Sequence, residues 1–159
     1  MIERLKYKNS IDVYDFVKNV NDKYQDFYVT HENQRLFLTE FNLIKKILVR
    51  QEVFGYFDKG LHGLLIIYKE KGFRPYVKIL SENRHAESFL IKFLMFNFSE
   101  QDLYIKLKKD NTLAKYMRYF GFIPTGDRGQ EILLFRKGIK ILHKMRPKDL
   151  FLGDENRLY

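Results

Sequence analysis

The spacing of apolar residues changes near Gln51, and that change limits the folds open to this chain. Before it, Val13, Phe16, Val17, Val20 and Tyr24 recur at helical spacing, with Lys18, Asn19, Asn21 and Asp22 on the other side, which predicts a helix over 12–24. A second helix, capped by Thr39 or beginning somewhat earlier, carries Phe37, Phe41, Ile44, Ile47 and Leu48 on its inner stripe. Beyond Gln51 the period falls to two. Residues 53–57 and 61–68 read as strands joined by Asp58-Lys59-Gly60, where Asp and Gly tolerate the dihedrals of a hairpin turn. Residues 76–80 continue as a third strand after Lys71-Gly72 and Pro75, giving an antiparallel meander. Helical stripes and strand alternation in one chain require helices packed on a sheet.

The remaining segments follow the same logic. Ile2, Leu5 and Tyr7 form a short opening strand that stops at Asn9-Ser10, a natural helix cap. Residues 25–35 are polar and irregular, either a connecting loop or a cover over a cleft. Phe89, Leu90, Phe93 and Leu94 place a helix over 84–98. Leu103, Ile105 and Leu107 then alternate with Tyr104, Lys106 and Lys108, as in a strand with one buried face. A compact helix runs through Leu113, Tyr116, Met117 and Phe120 to Gly121, and a final strand occupies 132–135 after the turn Gly126-Asp127-Arg128-Gly129. The order is strand, two helices, three strands, helix, strand, helix, strand: an α+β or α/β sheet flanked by helices.

Composition narrows the function. At 159 residues the chain has the size of one domain, and 45% hydrophobic with 31% charged residues excludes intrinsic disorder. No apolar run reaches membrane-spanning length and the first ten residues lack a secretory signal core, so a soluble, cytoplasmic protein with no membrane role is expected. The absence of Cys excludes disulfides, thiolate catalysis and Cys-based zinc sites. His31, His62, His85 and His143 are dispersed with no metal-binding spacing. A net charge of +9 favours an anionic partner: nucleic acid, a phosphorylated cofactor or an acidic surface. Lys106, Lys108 and Lys109 with Tyr104, and Lys137, Lys140, Lys144, Arg146 and Lys148 further on, form either a stripe for phosphate backbones or a solvated face. No signature for reading bases accompanies them, so a nucleic-acid role would be electrostatic. The wealth of Lys, Asn, Ile, Phe and Tyr suits an AT-rich genome of the kind bacteriophages often have.

The element order, closing with the strand 103–107, then KKDNTLAKYMRYFGF and IPTGDRGQEILLFRK, resembles the GNAT superfamily of N-acetyltransferases over 2–137. The resemblance implies a mixed central sheet that splits between two parallel strands, acetyl-CoA as cofactor, and direct attack by an amine of a protein, small molecule or nucleic acid. In that family a glycine-rich loop wraps the CoA pyrophosphate at a helix N-terminus. The matching stretch here is Ser81-Glu82-Asn83-Arg84-His85-Ala86-Glu87-Ser88, with His85 and Glu87 in the glycine positions. The resemblance assigns Arg84, His85 and Ser88 to the pyrophosphate, the backbone of Ile79 and Leu80 to the pantetheine amides, and Asn111 to the pantetheine arm beside the transfer centre. The same loop also reads as a plain helix start capped by Ser81 or Asn83, with Glu87 near the positive end of the dipole.

For catalysis the family uses a Tyr on the helix before Gly-Phe as acid toward the departing thiolate. Met117 holds that position here, flanked by Tyr116 and Tyr119, and Tyr116 is the first candidate; it also reads as an aromatic partner of Phe120 at i and i+4. Glu70 and Glu82, near strand ends, are the candidate bases. The competing function is a GNAT-fold protein that has lost catalysis and serves as a binding or structural module, phage-encoded and associated with nucleic acid. Residues 138–159 form an arm added to the core 1–137. Ile139, Ile141, Leu142, Met145, Leu150, Phe151 and Leu152 need burial, either on their own domain or on a second subunit. Cations before Pro147 and acids after Gly153 would suit a head-to-head homodimer.

Overall fold

The computed structural model describes residues 1–20, 28–31, 34–69 and 75–139. Strand β1 (Ile2–Arg4) is shorter than expected, because a 3-10 turn over Tyr7–Asn9 takes the chain out of the sheet. Asn9 Oδ1 accepts the Lys6 N–H at 2.9 Å and the Ser10 hydroxyl donates to the Tyr7 carbonyl, so Tyr7 is exposed rather than in a strand. Helix α1 (Ser10–Val20) follows with Val13, Phe16, Val17 and Val20 buried; Tyr24 lies outside the described residues. A hairpin of β2 (Tyr28–His31) and β3 (Gln34–Phe37) then occupies much of the segment expected to be irregular. Backbone pairing in register stabilises it where side-chain alternation gives little signal. Phe37 therefore ends a strand, Leu38 takes the buried position, and helix α2 (Phe41–Arg50) starts after Glu40 rather than Thr39.

Strands β4 (Glu52–Phe57), β5 (Leu61–Tyr68) and β6 (Tyr76–Ser81) form the meander. Lys59 (φ 57°) and Gly60 (φ 137°) make the β4–β5 turn. Helix α3 (Arg84–Asn97), β7 (Leu103–Lys108), α4 (Thr112–Tyr119), β8 (Ile123–Arg128) and β9 (Glu131–Arg136) complete the order. The stretch expected as a turn at Gly126 to Gly129 is mostly strand: β8 pairs with β9 through Arg128, and the reversal tightens to Gly129 (φ 66°) and Gln130. Among the described residues the main sheet runs β1-β4-β5-β6-β7-β9-β8. All neighbours are antiparallel except β6 and β7, which are parallel.

Alternation along β5 divides the interior in two. Leu64, Ile66 and Tyr68 meet α1 and α2 on one face; Leu65 and Ile67 meet α3 and α4 on the other. Helix α3 lies close on β5 because Gly63 has no side chain there. A Cβ at that position would fall 2.8 Å from Leu90 Cδ1 and 3.3 Å from Ala86 Cβ. This contact fixes the start of α3 above the end of β6. Past β9, the Gly138 N–H donates to Asp102 Oδ1 at 2.8 Å and the Ile139 N–H to the Ser99 carbonyl at 2.8 Å. The rest of the arm, 140–159, is outside the described residues. No described helix is long and apolar enough to cross a membrane.

Candidate functional site

The parallel pairing of β6 with β7 lasts two residues, Tyr76 with Tyr104 and Val77 with Ile105, and then stops. Beyond Val77 the strands part, and the backbone edge of β6 loses its ladder. Which amides this leaves open follows from the register with β5. Glu82 N–H donates to the His62 carbonyl at 3.0 Å, so the bonded pairs of the β5–β6 ladder are the even-numbered residues of β6, Leu80 with Leu64 among them. Ile79 and Ser81 fall on the other alternation and turn their N–H and C=O toward the opening. Leu80 does not: its amide groups bond to β5 and its side chain is buried between the sheet and α1. On the far side, Tyr104 N–H donates to the Pro75 carbonyl at 2.9 Å, which turns the backbone of Lys106 toward the same gap.

At the closed end of this edge stands Ser81, 1% exposed, whose Oγ has no hydrogen-bond partner among the described residues. A buried hydroxyl is normally satisfied, so this one calls for an explanation. The chain then enters α3. Asn83 is the N-cap, its Oδ1 accepting from Ala86 N at 2.8 Å, and Glu87 sits in the first turn. The loop needs no glycine for its backbone: Asn83 is extended (φ −152°), and positive φ occurs elsewhere, at Lys59, Gly60, Gly121 and Gly129. With the Ala86 N–H capped, the N–H groups of Arg84 and His85 are the first-turn donors left for an anion. The Arg84 side chain is exposed beside them and Ser88 is half-buried. The His85 ring leans the other way, 4.9 Å from the Phe89 ring and 5.9 Å from Tyr56 on β4.

The catalytic candidates lie on separate elements. Tyr116 is half-buried on α4, its ring 5.6 Å from Phe120, while Met117 is fully buried and Tyr119 is exposed. Asn111 caps α4, its Oδ1 accepting from Leu113 N at 2.9 Å, which leaves its NH₂ group to donate. Glu82 places Oε2 2.7 Å from His62 Nδ1. Glu70 lies outside the described residues. Of the basic stripe, Lys109 is paired with Asp127 at 2.7 Å. Tyr104 stacks between Tyr76 and Phe135, at 5.5 and 4.9 Å.

Two features escaped the sequence. His62 pairs with a residue 20 positions away, and only strand register brings them together. The orphaned Ser81 hydroxyl has no sequence signal at all. Beside the loop, a cleft of about 260 Å³ is lined by Asp12, Asp15 and Asn19 of α1, by Phe57 and Leu61 of the hairpin, and by Glu82. It gathers three carboxylates on a strongly basic protein.

No protein-family model matches the chain, and no curated protein matches it by sequence. Solved structures do match. An N-acetyltransferase from Staphylococcus aureus Mu50 is similar at TM-score 0.67 and 20% identity, over 86% of this chain and 96% of that one. An acetyltransferase of the GNAT family from Streptococcus pneumoniae is similar at TM-score 0.58 and 12% identity, over 85% and 96%. The PaiA N-acetyltransferase from Thermoplasma acidophilum, solved in complex with coenzyme A, is similar at TM-score 0.61 and 10% identity, over 86% and 98%. The chain has the GNAT fold: a mixed sheet flanked by helices, parted between its two parallel strands.

Proposed function

We propose that the protein is an acyl-CoA-dependent N-acyltransferase, with acetyl-CoA the first donor to test and an amine of a protein or small molecule as acceptor. One observation carries the reading: the unladdered edge of β6, with Ile79 and Ser81 presenting amides, ends at a buried hydroxyl lacking a partner and runs into the start of α3. These groups fit a carrier that brings two amides and then phosphates. Strand-edge N–H and C=O match the amides; the Ser81 hydroxyl, the first-turn N–H groups and the Arg84 guanidinium match the anion. Ser88 and Asn111 are assigned to the carrier through their side chains, and His85 through its backbone N–H. Acetyl-CoA, when bound, supplies an acyl group activated as a thioester.

The chain's own residues then have two tasks. An alkylamine is protonated at neutral pH, with a pKa of roughly 10, so a base must take its proton directly or through water; Glu82 and Glu70 are the candidates. Tyr116 Oη holds a proton for the departing sulfur. The chain contains no Cys, so no acyl-thioester can form on it. The likeness to acetyltransferases, one solved with coenzyme A, supports this reading.

Calorimetry with acetyl-CoA, followed by free-thiol release over a panel of primary amines, tests the proposal. Binding with amine-dependent thiol release is expected. No heat at millimolar acetyl-CoA would overturn it and leave a GNAT-fold binding protein, for which a salt-dependent shift of labelled DNA or RNA is the next measurement.

A further inference from the structure

His62 stands at the base of β5 between two acceptors. Its Nε2 is 2.8 Å from the Asp58 carbonyl, across the β4–β5 turn, and its Nδ1 is 2.7 Å from Glu82 Oε2. Neither acceptor has a hydrogen to give. Both ring nitrogens must therefore donate, which a neutral imidazole cannot do. The backbone repeats the link, since the Glu82 N–H donates to the His62 carbonyl at 3.0 Å. Glu82 is the residue between Ser81, the last group on the open edge of β6, and Asn83, the cap of α3.

We infer that His62 is a positioning residue: as the imidazolium it ties the β4–β5 turn to residues 81–83, and so holds in register the strand edge and helix start that receive the acyl carrier. This rests on the proposed function for the carrier, but not for the tie itself. The hydrogen bonds and the neighbouring carboxylates favour the charged ring. The Glu82 hydrogen bond raises the His62 pKa most, the Asp58 carbonyl next, and the Glu82 and Asp58 charges add to it, with partial burial opposing. Asp12 and Asp15 line the same acidic cleft as Glu82. The tie is made while His62 is protonated and Glu82 ionised, and it loosens as pH rises through the raised His62 value.

The test follows the proton, the loop and the carrier separately in the full chain. His62 is titrated by the NMR shift of its Cε1–H, and hydrogen exchange at the Glu82 and Ala86 amides is followed over the same pH range. Coenzyme A affinity is measured by calorimetry for wild type and for His62→Gln, which carries no titrating charge. His62 should titrate above 6.5, return toward it in Glu82→Gln, and lose exchange protection at both amides as it deprotonates. Coenzyme A should bind His62→Gln about 3- to 10-fold more weakly than wild type at pH 6, with the gap closing at high pH. The phosphates' own titration is common to both proteins and cancels. An ordinary His62 titration, or the same exchange step in His62→Gln, would overturn the inference. If coenzyme A binds neither protein, the acyltransferase reading fails, while titration and exchange still decide what His62 does. If His62→Gln does not fold, the wild-type titration and exchange steps decide it.

Discussion

A buried hydroxyl that makes no hydrogen bond costs about 1–3 kcal/mol relative to one left in water, and Ser81 carries that cost at the end of β6. Ser81→Ala should therefore leave stability unchanged or raise it by up to about 1 kcal/mol in urea unfolding, while weakening coenzyme A. Unweakened binding would show that the hydroxyl does not face the carrier. Tyr116→Phe keeps the ring that meets Phe120 and removes only the proton donor, so the melting temperature should hold while kcat falls about 100-fold. An equal kcat would assign the ring to packing alone. For His62 the sign of the stability effect follows from its raised folded pKa. Its contribution is fully present below the unfolded value near 6.5 and is lost as pH rises through the folded value. The stability difference between wild type and His62→Gln should thus shrink with rising pH, by a modest amount because the pair is about a third exposed.

The start of the helix that borders the opening is set by one close contact and one cap. Gly63 lets α3 approach β5, and any larger residue must push Leu90 and Ala86 away. Gly63→Val should destabilise by about 1–3 kcal/mol, and by displacing the start of α3 should weaken coenzyme A as well; chemical denaturation and calorimetry report the two losses. The α4 helix closes as its sequence indicates, with Gly121 at φ 90° after the last turn and Phe122 N–H returning to the Met117 carbonyl at 3.3 Å. Asn83 and Asn111 are side-chain caps, and Ser81, the other cap candidate for α3, is instead a strand residue. The β2–β3 hairpin was hidden because its apolar residues pair only across strands, Tyr28 opposite Phe37 and Val29 opposite Leu36, with polar residues around the turn.

At the scale of the molecule, β5 belongs to both interior layers. Leu64 and Leu65 are adjacent and fully buried, yet they face different helices. A sheet shared in this way should unfold as one unit. Leu64→Ala, on the α1 side, and Leu90→Ala, on the α3 side, should each cost about 2–5 kcal/mol and each move a single calorimetric transition. Two separated transitions in either variant would mean that the layers fold independently.

Periodicity in the chain was enough to place α1, α3, α4, the meander and the strand 103–107, because each is specified by residues within one or two turns of one another. Arg84, Asn111 and Tyr116 became candidates through the resemblance to the GNAT family, whose motif positions they match or adjoin in sequence order. Local spacing could not show that β6 and β7 part after Val77, that Ile79 and Ser81 rather than Leu80 present the open amides, or that His62 meets Glu82. Those facts depend on the register between strands distant in sequence. Register is decided when the whole sheet pairs and both faces are buried together, and only tertiary packing supplies that constraint.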